Sequence, residues 1–110
     1  MSKSARRKGH QFERDVAIKL REIFPAAKRQ LEYQIDDCVG VDIANTGRYK
    51  IQCKKLKKYA PITAIDEIKC DEHLGDIPVL ITAGDKQRAV AVLPFDDLLG
   101  LLHIVEIKRG

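Results

Sequence analysis

The chain has 110 residues, 45% hydrophobic and 33% charged, with a formal net charge of +4 at pH 7. That length supports one domain with one core, and the apolar share is too high for a disordered chain. No apolar run reaches the length of a membrane span, and Met1 to Gly9 is basic without the apolar centre of a signal peptide. Three widely spaced cysteines (Cys38, Cys53, Cys70) form no CxxC pair. They disfavour a disulfide framework or a zinc site and point to a reduced, cytoplasmic setting. Charge is unevenly spread. Residues 1–58 hold 15 Lys and Arg against 7 Asp and Glu, and residues 59–110 hold 5 against 9. A basic half of this kind is either the electrostatic footprint of a polyanion partner or a solvated surface.

Residues 1–8 (MSKSARRK) read as a basic, mobile arm. From Gly9 to Phe24, apolar residues at Phe12, Val16, Ala17, Leu20, Ile23 and Phe24 form the stripe of an amphipathic helix, which Pro25 ends. Residues 31–36 allow a short strand. Residues 40–44 and 48–54 alternate apolar and polar around Asn45-Thr46-Gly47, the pattern of a β-hairpin. Apolar meets apolar across it only if Ile43 pairs with Ile51 and Val41 with Cys53. That register leaves an odd loop centred on Gly47 and sets Asp42 opposite Gln52. Pro61 and Thr63 open a helix through Lys69, residues 77–83 form a buried strand, Gly84-Asp85 turns, and residues 88–93 form another strand. Pro94 opens a last helix from Phe95 to about Leu102, and His103 to Ile107 adds a short edge strand. The pattern predicts a single α/β domain over residues 1–110, with a mixed central sheet of four to five strands flanked by helices.

Gln52 and Lys54 are two apart on a strand and share a face, with Asp42 across the ladder. A carboxylate, an amide oxygen and an ammonium group then converge. Magnesium takes oxygen ligands and keeps several waters beside one or two carboxylates. A neighbouring lysine can hold or deprotonate a water, or stabilise charge on phosphate. Glu13, at the margin of the first helix's stripe, adds a second carboxylate if that stripe packs on the sheet. Each residue also has an ordinary reading: Glu13 as a solvated helix carboxylate, Asp42 as a strand-end polar residue, Lys54 as part of a charge run. His10, His73 and His103 stand at no metal-ligand spacing.

Three segments change the weight of these readings: Lys8-Gly9-His10-Gln11-Phe12-Glu13-Arg14, Gly40-Val41-Asp42-Ile43 and Ile51-Gln52-Cys53-Lys54. Together they resemble the PD-(D/E)xK nuclease superfamily, and within it the small archaeal and phage-type Holliday-junction resolvases. Those also open with a Lys-Gly pair ahead of a helical Glu, followed by Asp, a hairpin and an acidic-x-Lys tripeptide. The similarity extends to Val92-Leu93-Pro94-Phe95. The resemblance implies a restriction-endonuclease-like core and a homodimeric, metal-dependent endonuclease that hydrolyses phosphodiester bonds at four-way DNA junctions. It makes Glu13 a metal-linked carboxylate, Asp42 the central ligand, Gln52 the occupant of the second acidic position and Lys54 the catalytic lysine. Mg2+ is the implied metal, with Mn2+ as a substitute.

Two departures stand out. Gln52 replaces the usual Glu or Asp, so its carbonyl can ligate a metal but brings no charge. The stretch Asp36-Asp37-Cys38-Val39-Gly40 replaces a glycine- and serine-rich loop, and either aspartate compensates for the missing charge or sits in a solvated turn. Arg6, Arg7, Lys8 and His10 before the catalytic stretch of helix, and Lys55, Lys57 and Lys58 after the catalytic strand, are the expected phosphate contacts. Three tyrosines and no tryptophan argue against a single-strand stacking platform. The apolar run from Leu98 to Ile107 offers either a dimer surface or more core. Two alternatives remain open: a catalytically weakened nuclease-like DNA-binding module, marked by Gln52, and a nicking or restriction-type endonuclease on duplex DNA.

Overall fold

A computed structural model of the chain describes residues 3–30, 40–55, 61–84 and 88–109, with side chains in the first helix described from Arg7 onward. Its elements are α1 (Lys3–Leu20), β1 (Lys28–Arg29), β2 (Ile43–Ala44), β3 (Tyr49–Lys54), α2 (Pro61–Asp66), a 3-10 turn (Glu72–Leu74), β4 (Ile77–Thr82), β5 (Val90–Val92) and α3 (Phe95–Arg109). The five strands form one sheet in the order β1-β2-β3-β4-β5. β3 and β4 are parallel and every other pair is antiparallel. The mixed five-stranded sheet flanked by helices is the architecture that the sequence pattern predicts.

β3 and β4 sit at the centre because their sequences can be covered on both faces, as a parallel pair requires. Tyr49, Ile51 and Cys53 lie in register with Ile77, Val79 and Ile81 on one face, and Lys50, Gln52 and Lys54 with Pro78, Leu80 and Thr82 on the other. α1 covers the first face. Its Val16 and Ala17 join Ile43, Ile51, Cys53, Ile77 and Val79 in the main core, with Phe12, Phe24 and Leu101 packed around them. α2 packs on β4 with Ala64 and Ile68 buried, and Leu80 on this second face is wholly enclosed.

The expected arm at residues 1–8 is helical from Lys3, because Lys, Ala and Arg favour helix and nothing before Gly9 interrupts it. The helix also stops earlier than its stripe suggests. Residues 21–24 form hydrogen-bonded turns ahead of Pro25, and Ile23 is exposed. β1 pairs Lys28 with Ala44 and Arg29 with Ile43, in a stretch that carries no strand pattern. The strand expected at 31–36 lies outside the described residues. The edge strand expected at His103 to Ile107 is instead the second half of α3. His103-Ile104-Val105-Glu106-Ile107 does not alternate as a strand would, and Lys108 and Arg109 suit the negative end of the helix dipole. Among the described residues no helix is long and apolar enough to cross a membrane.

Candidate active site

The hairpin pairs Ile43 with Ile51 as predicted, but β2 begins at Ile43, so the expected pairing of Val41 with Cys53 and of Asp42 with Gln52 does not form. Asn45 and Gly47 adopt left-handed backbone, with φ of 68° and 60°. The buried Thr46 hydroxyl donates to the Tyr49 carbonyl at 2.6 Å, and Asn45 Nδ2 donates to the Ala26 carbonyl at 2.9 Å. The tip is thereby tied to the loop that follows α1.

Asp42 stands one residue before β2 and is held from three sides. Its N–H donates to the Ile51 carbonyl at 2.8 Å, and its carbonyl accepts from the Gln30 N–H at 2.7 Å. Its carboxylate Oδ2 accepts the Cys53 N–H at 2.8 Å. Along β3 the backbone groups of Ile51 and Cys53 turn towards β2, and those of Gln52 towards β4. The Asp42 carboxylate therefore fills the ladder position that β2 vacates, at the fork where the two strands part. Gly40 sets the approach to this fork. Its φ is 74°, and a Cβ there would lie 2.6 Å from the Glu67 carbonyl oxygen. Only glycine allows the chain to cross the end of α2 so closely.

Burial pushes the Asp42 carboxyl up from 3.8 to about 6; the Cys53 hydrogen bond opposes this, the Glu13 carboxylate adds to it, and Lys54 and Arg29 lower it. Glu13 comes from α1, and its Oε2 accepts from Arg29 Nε at 2.8 Å with both side chains partly buried. Burial, reinforced by Asp42 and Glu13, also pushes the Cys53 thiol up, so this sulfur stays protonated and unreactive.

Lys54 lies towards α2, where its Nζ meets Glu67 Oε2 at 3.0 Å. Gln52 is only 6% exposed, and its Oε1 has no hydrogen-bond partner among the described residues. The expected single-face cluster is thus a fork with two sides. Glu13 and Arg29 reach Asp42 from the α1 side, while Gln52 and Lys54 belong to the α2 side. Arg29 and Glu67 escaped the sequence reading. Each touches a residue 16 or 13 positions away in the chain, a separation that leaves no local signal.

Arg7 and Lys8 are exposed on the early turns of α1, with His10 half-buried beyond them. Lys55 Nζ lies 5.9 Å from the centre of the Phe12 ring, which places this cation beside α1 next to Glu13. The side chain of Arg6, and Lys57, Lys58, Asp36 and Asp37, lie outside the described residues.

The donors fit magnesium chemically: two carboxylates, Asp42 and Glu13, and a buried amide oxygen lacking a partner. No group of three or more His, Cys, Asp or Glu among the described residues could hold an ion. A metal on the α1 side would rest on these two carboxylates and water, with the Gln52 oxygen on the α2 side of the fork. Compared with known proteins, the chain matches no family model, no curated protein and no solved structure.

Proposed function

We propose that this chain is a Mg2+-dependent DNA endonuclease of restriction-endonuclease-like fold, acting on four-way junctions. The observation that carries the reading is the fork. Asp42, held by two backbone hydrogen bonds and by a third from the Cys53 N–H to its carboxylate, lies within the fields of Glu13 and Lys54, and the buried Gln52 amide oxygen on the neighbouring strand has no partner among the described residues. Asp42 and Glu13 on the α1 side would hold the metal, which supplies Lewis-acid polarisation and an activated water when bound, and the Gln52 carbonyl would join them by turning from the α2 side through the fork. Lys54, steadied by Glu67, is placed to position the water or to meet charge on the phosphate. Arg7, Lys8 and Lys55, with Arg6, His10, Lys57 and Lys58, would hold flanking phosphates. A two-fold junction suits a homodimer with two such sites.

The experiment is incubation of a labelled four-way junction and a matched duplex with wild type and Asp42→Asn, in Mg2+ or EDTA. Junction cleavage that needs Mg2+ and is abolished by Asp42→Asn is the expected result. Full activity in the variant removes the metal site. Cleavage of the duplex alone transfers the reading to a nicking or restriction-type enzyme. The neutral Gln52 favours one second reading, a nuclease-like binding module without catalysis. That module would bind the junction and cut neither DNA.

A further inference from the structure

None of the 15 residues of α3 is buried, and beside it runs a groove of about 490 Å³. One wall is α3 itself, which brings Asp96, Asp97, Gly100, Leu101 and Ile104 to one face at helical spacing. The other wall is the segment from Glu72 to Pro78 that leads into β4. Leu101, Ile104 and Ile77 make the lining apolar, and Ile104 is 46% exposed, so this apolar surface stands open to water. Carboxylates stand on both walls: Asp96 and Asp97 on α3, Glu72 and Asp76 on the other. Among the described residues the lining holds one cation, Arg48, whose guanidinium carbon lies 5.7 Å from the centre of the Tyr49 ring. Gly100 keeps the groove open. A Cβ there would meet nothing within 4 Å, so no contact inside the chain calls for a glycine where glycine weakens the helix.

Charge decides what kind of occupant fits. A phosphate backbone or an anionic membrane surface would meet four carboxylates and be repelled. A neutral apolar segment would strip water from those carboxylates without replacing it. Lysine and arginine satisfy both demands, because their stems cover apolar surface while their charged ends reach a carboxylate. From Asp96 to Ile104 the helix runs about 12 Å, the span of about three to four residues of extended chain. In such a segment alternate side chains point opposite ways, so one set lies on the apolar lining and the other reaches the rims. The groove also lies away from the fork. Tyr49 pairs with Ile77 at the groove end of the parallel strands and Lys54 with Thr82 at the other, about 17 Å along. An occupant of the groove therefore leaves Asp42 and Lys54 open.

We propose that the groove beside α3 docks a short extended segment of a partner protein, in which lysine or arginine alternates with apolar residues. The inference does not rest on the nuclease reading, and its test reads binding rather than cleavage. The probe is an end-labelled pentapeptide of alternating lysine and leucine, titrated with the full chain and followed by anisotropy. Saturable one-to-one binding is the expected result. The same peptide with serine for leucine should bind about tenfold more weakly, and one with glutamate for lysine should not bind. Gly100→Leu fills the groove without touching the carboxylates, and Asp96→Asn with Asp97→Asn discharges one wall. Each should weaken binding of the lysine–leucine peptide about tenfold. Circular dichroism establishes that each variant is folded. Should either fail to fold, Glu72→Gln on the opposite wall takes its place, with a loss of about threefold expected. A wild type that does not bind the peptide overturns the proposal. So does binding that survives every folded variant or that the serine peptide matches, since general attraction between opposite charges then accounts for it. A wild-type dimer that Gly100→Leu dissociates and the peptide leaves intact assigns the groove to a second copy and overturns the proposal as well.

Discussion

Asp42 is held in place by its surroundings but not stabilised as an anion. In the unfolded chain it titrates near 3.8 and in the folded chain near 6, so between these values the native state holds the extra proton. Its contribution to stability is therefore complete at low pH and lost as pH rises through 6. Two units correspond to about 3 kcal/mol at most, reduced to about 1–2 kcal/mol by the solvent that still reaches the group. Asp42→Asn keeps an acceptor for the Cys53 N–H and removes the titration. Thermal melting without divalent ions should show the variant above wild type at pH 8, with the gap closing by pH 4. A lower melting point at pH 8 would remove this account. Gln52 gives a second test. Replacing its stranded amide by Met should stabilise the chain by about 1 kcal/mol in urea titrations. Gln52→Glu should weaken the metal-free fold and lower the Mg2+ concentration needed for cleavage; an active wild type crippled by Glu would end the ligand role. Glu13, Asp42, Gln52 and Lys54 stand out in the sequence by spacing and resemblance, but their division between two sides of the fork does not. Nor does the isolation of Gln52 Oε1, because it depends on both sheet faces being covered.

At the scale of elements, Gly40 and Gly47 make a matched pair. Both hold positive φ, but a Cβ at Gly40 would strike backbone at 2.6 Å, whereas at Gly47 it would meet only the Phe24 ring at 3.6 Å. Gly47→Ala should cost about 1 kcal/mol for the left-handed conformation alone. Gly40→Ala should cost about 2–3 kcal/mol, because the crossing over α2 must also open. Equal losses in urea unfolding would show that the crossing is not tight. β3 and β4 were readable because each strand is long enough to show its character. β1 was not, since two residues cannot display a period and their pairing is supplied by β2. The run from Leu101 to Ile107 carries no alternation, so helix and edge strand read alike until the helix dipole and the preceding turns decide.

At the scale of the whole molecule, the uneven charge gains a geography: Arg7 and Lys8 stand exposed on α1 with Lys55 beside Phe12 of the same helix, and Glu72, Asp76, Asp96 and Asp97 of the second half line a groove beside α3. If the basic side engages about six phosphates, junction affinity should fall about 10³-fold between 50 and 200 mM salt, read by anisotropy of a labelled junction. A flat response would make that side ordinary solvated surface. The sheet order has a kinetic meaning as well. Strands stand side by side in the order of the chain, so none must insert between two already joined. Each can be laid on the edge of the last as synthesis proceeds. The one long closure is the crossover that brings β4 alongside β3, and loop-closure entropy makes it the expected barrier. Val79→Ala on β4 should then chiefly slow refolding, while Val92→Ala on the last strand should chiefly hasten unfolding. A growing chain would commit to its fold when β4 emerges.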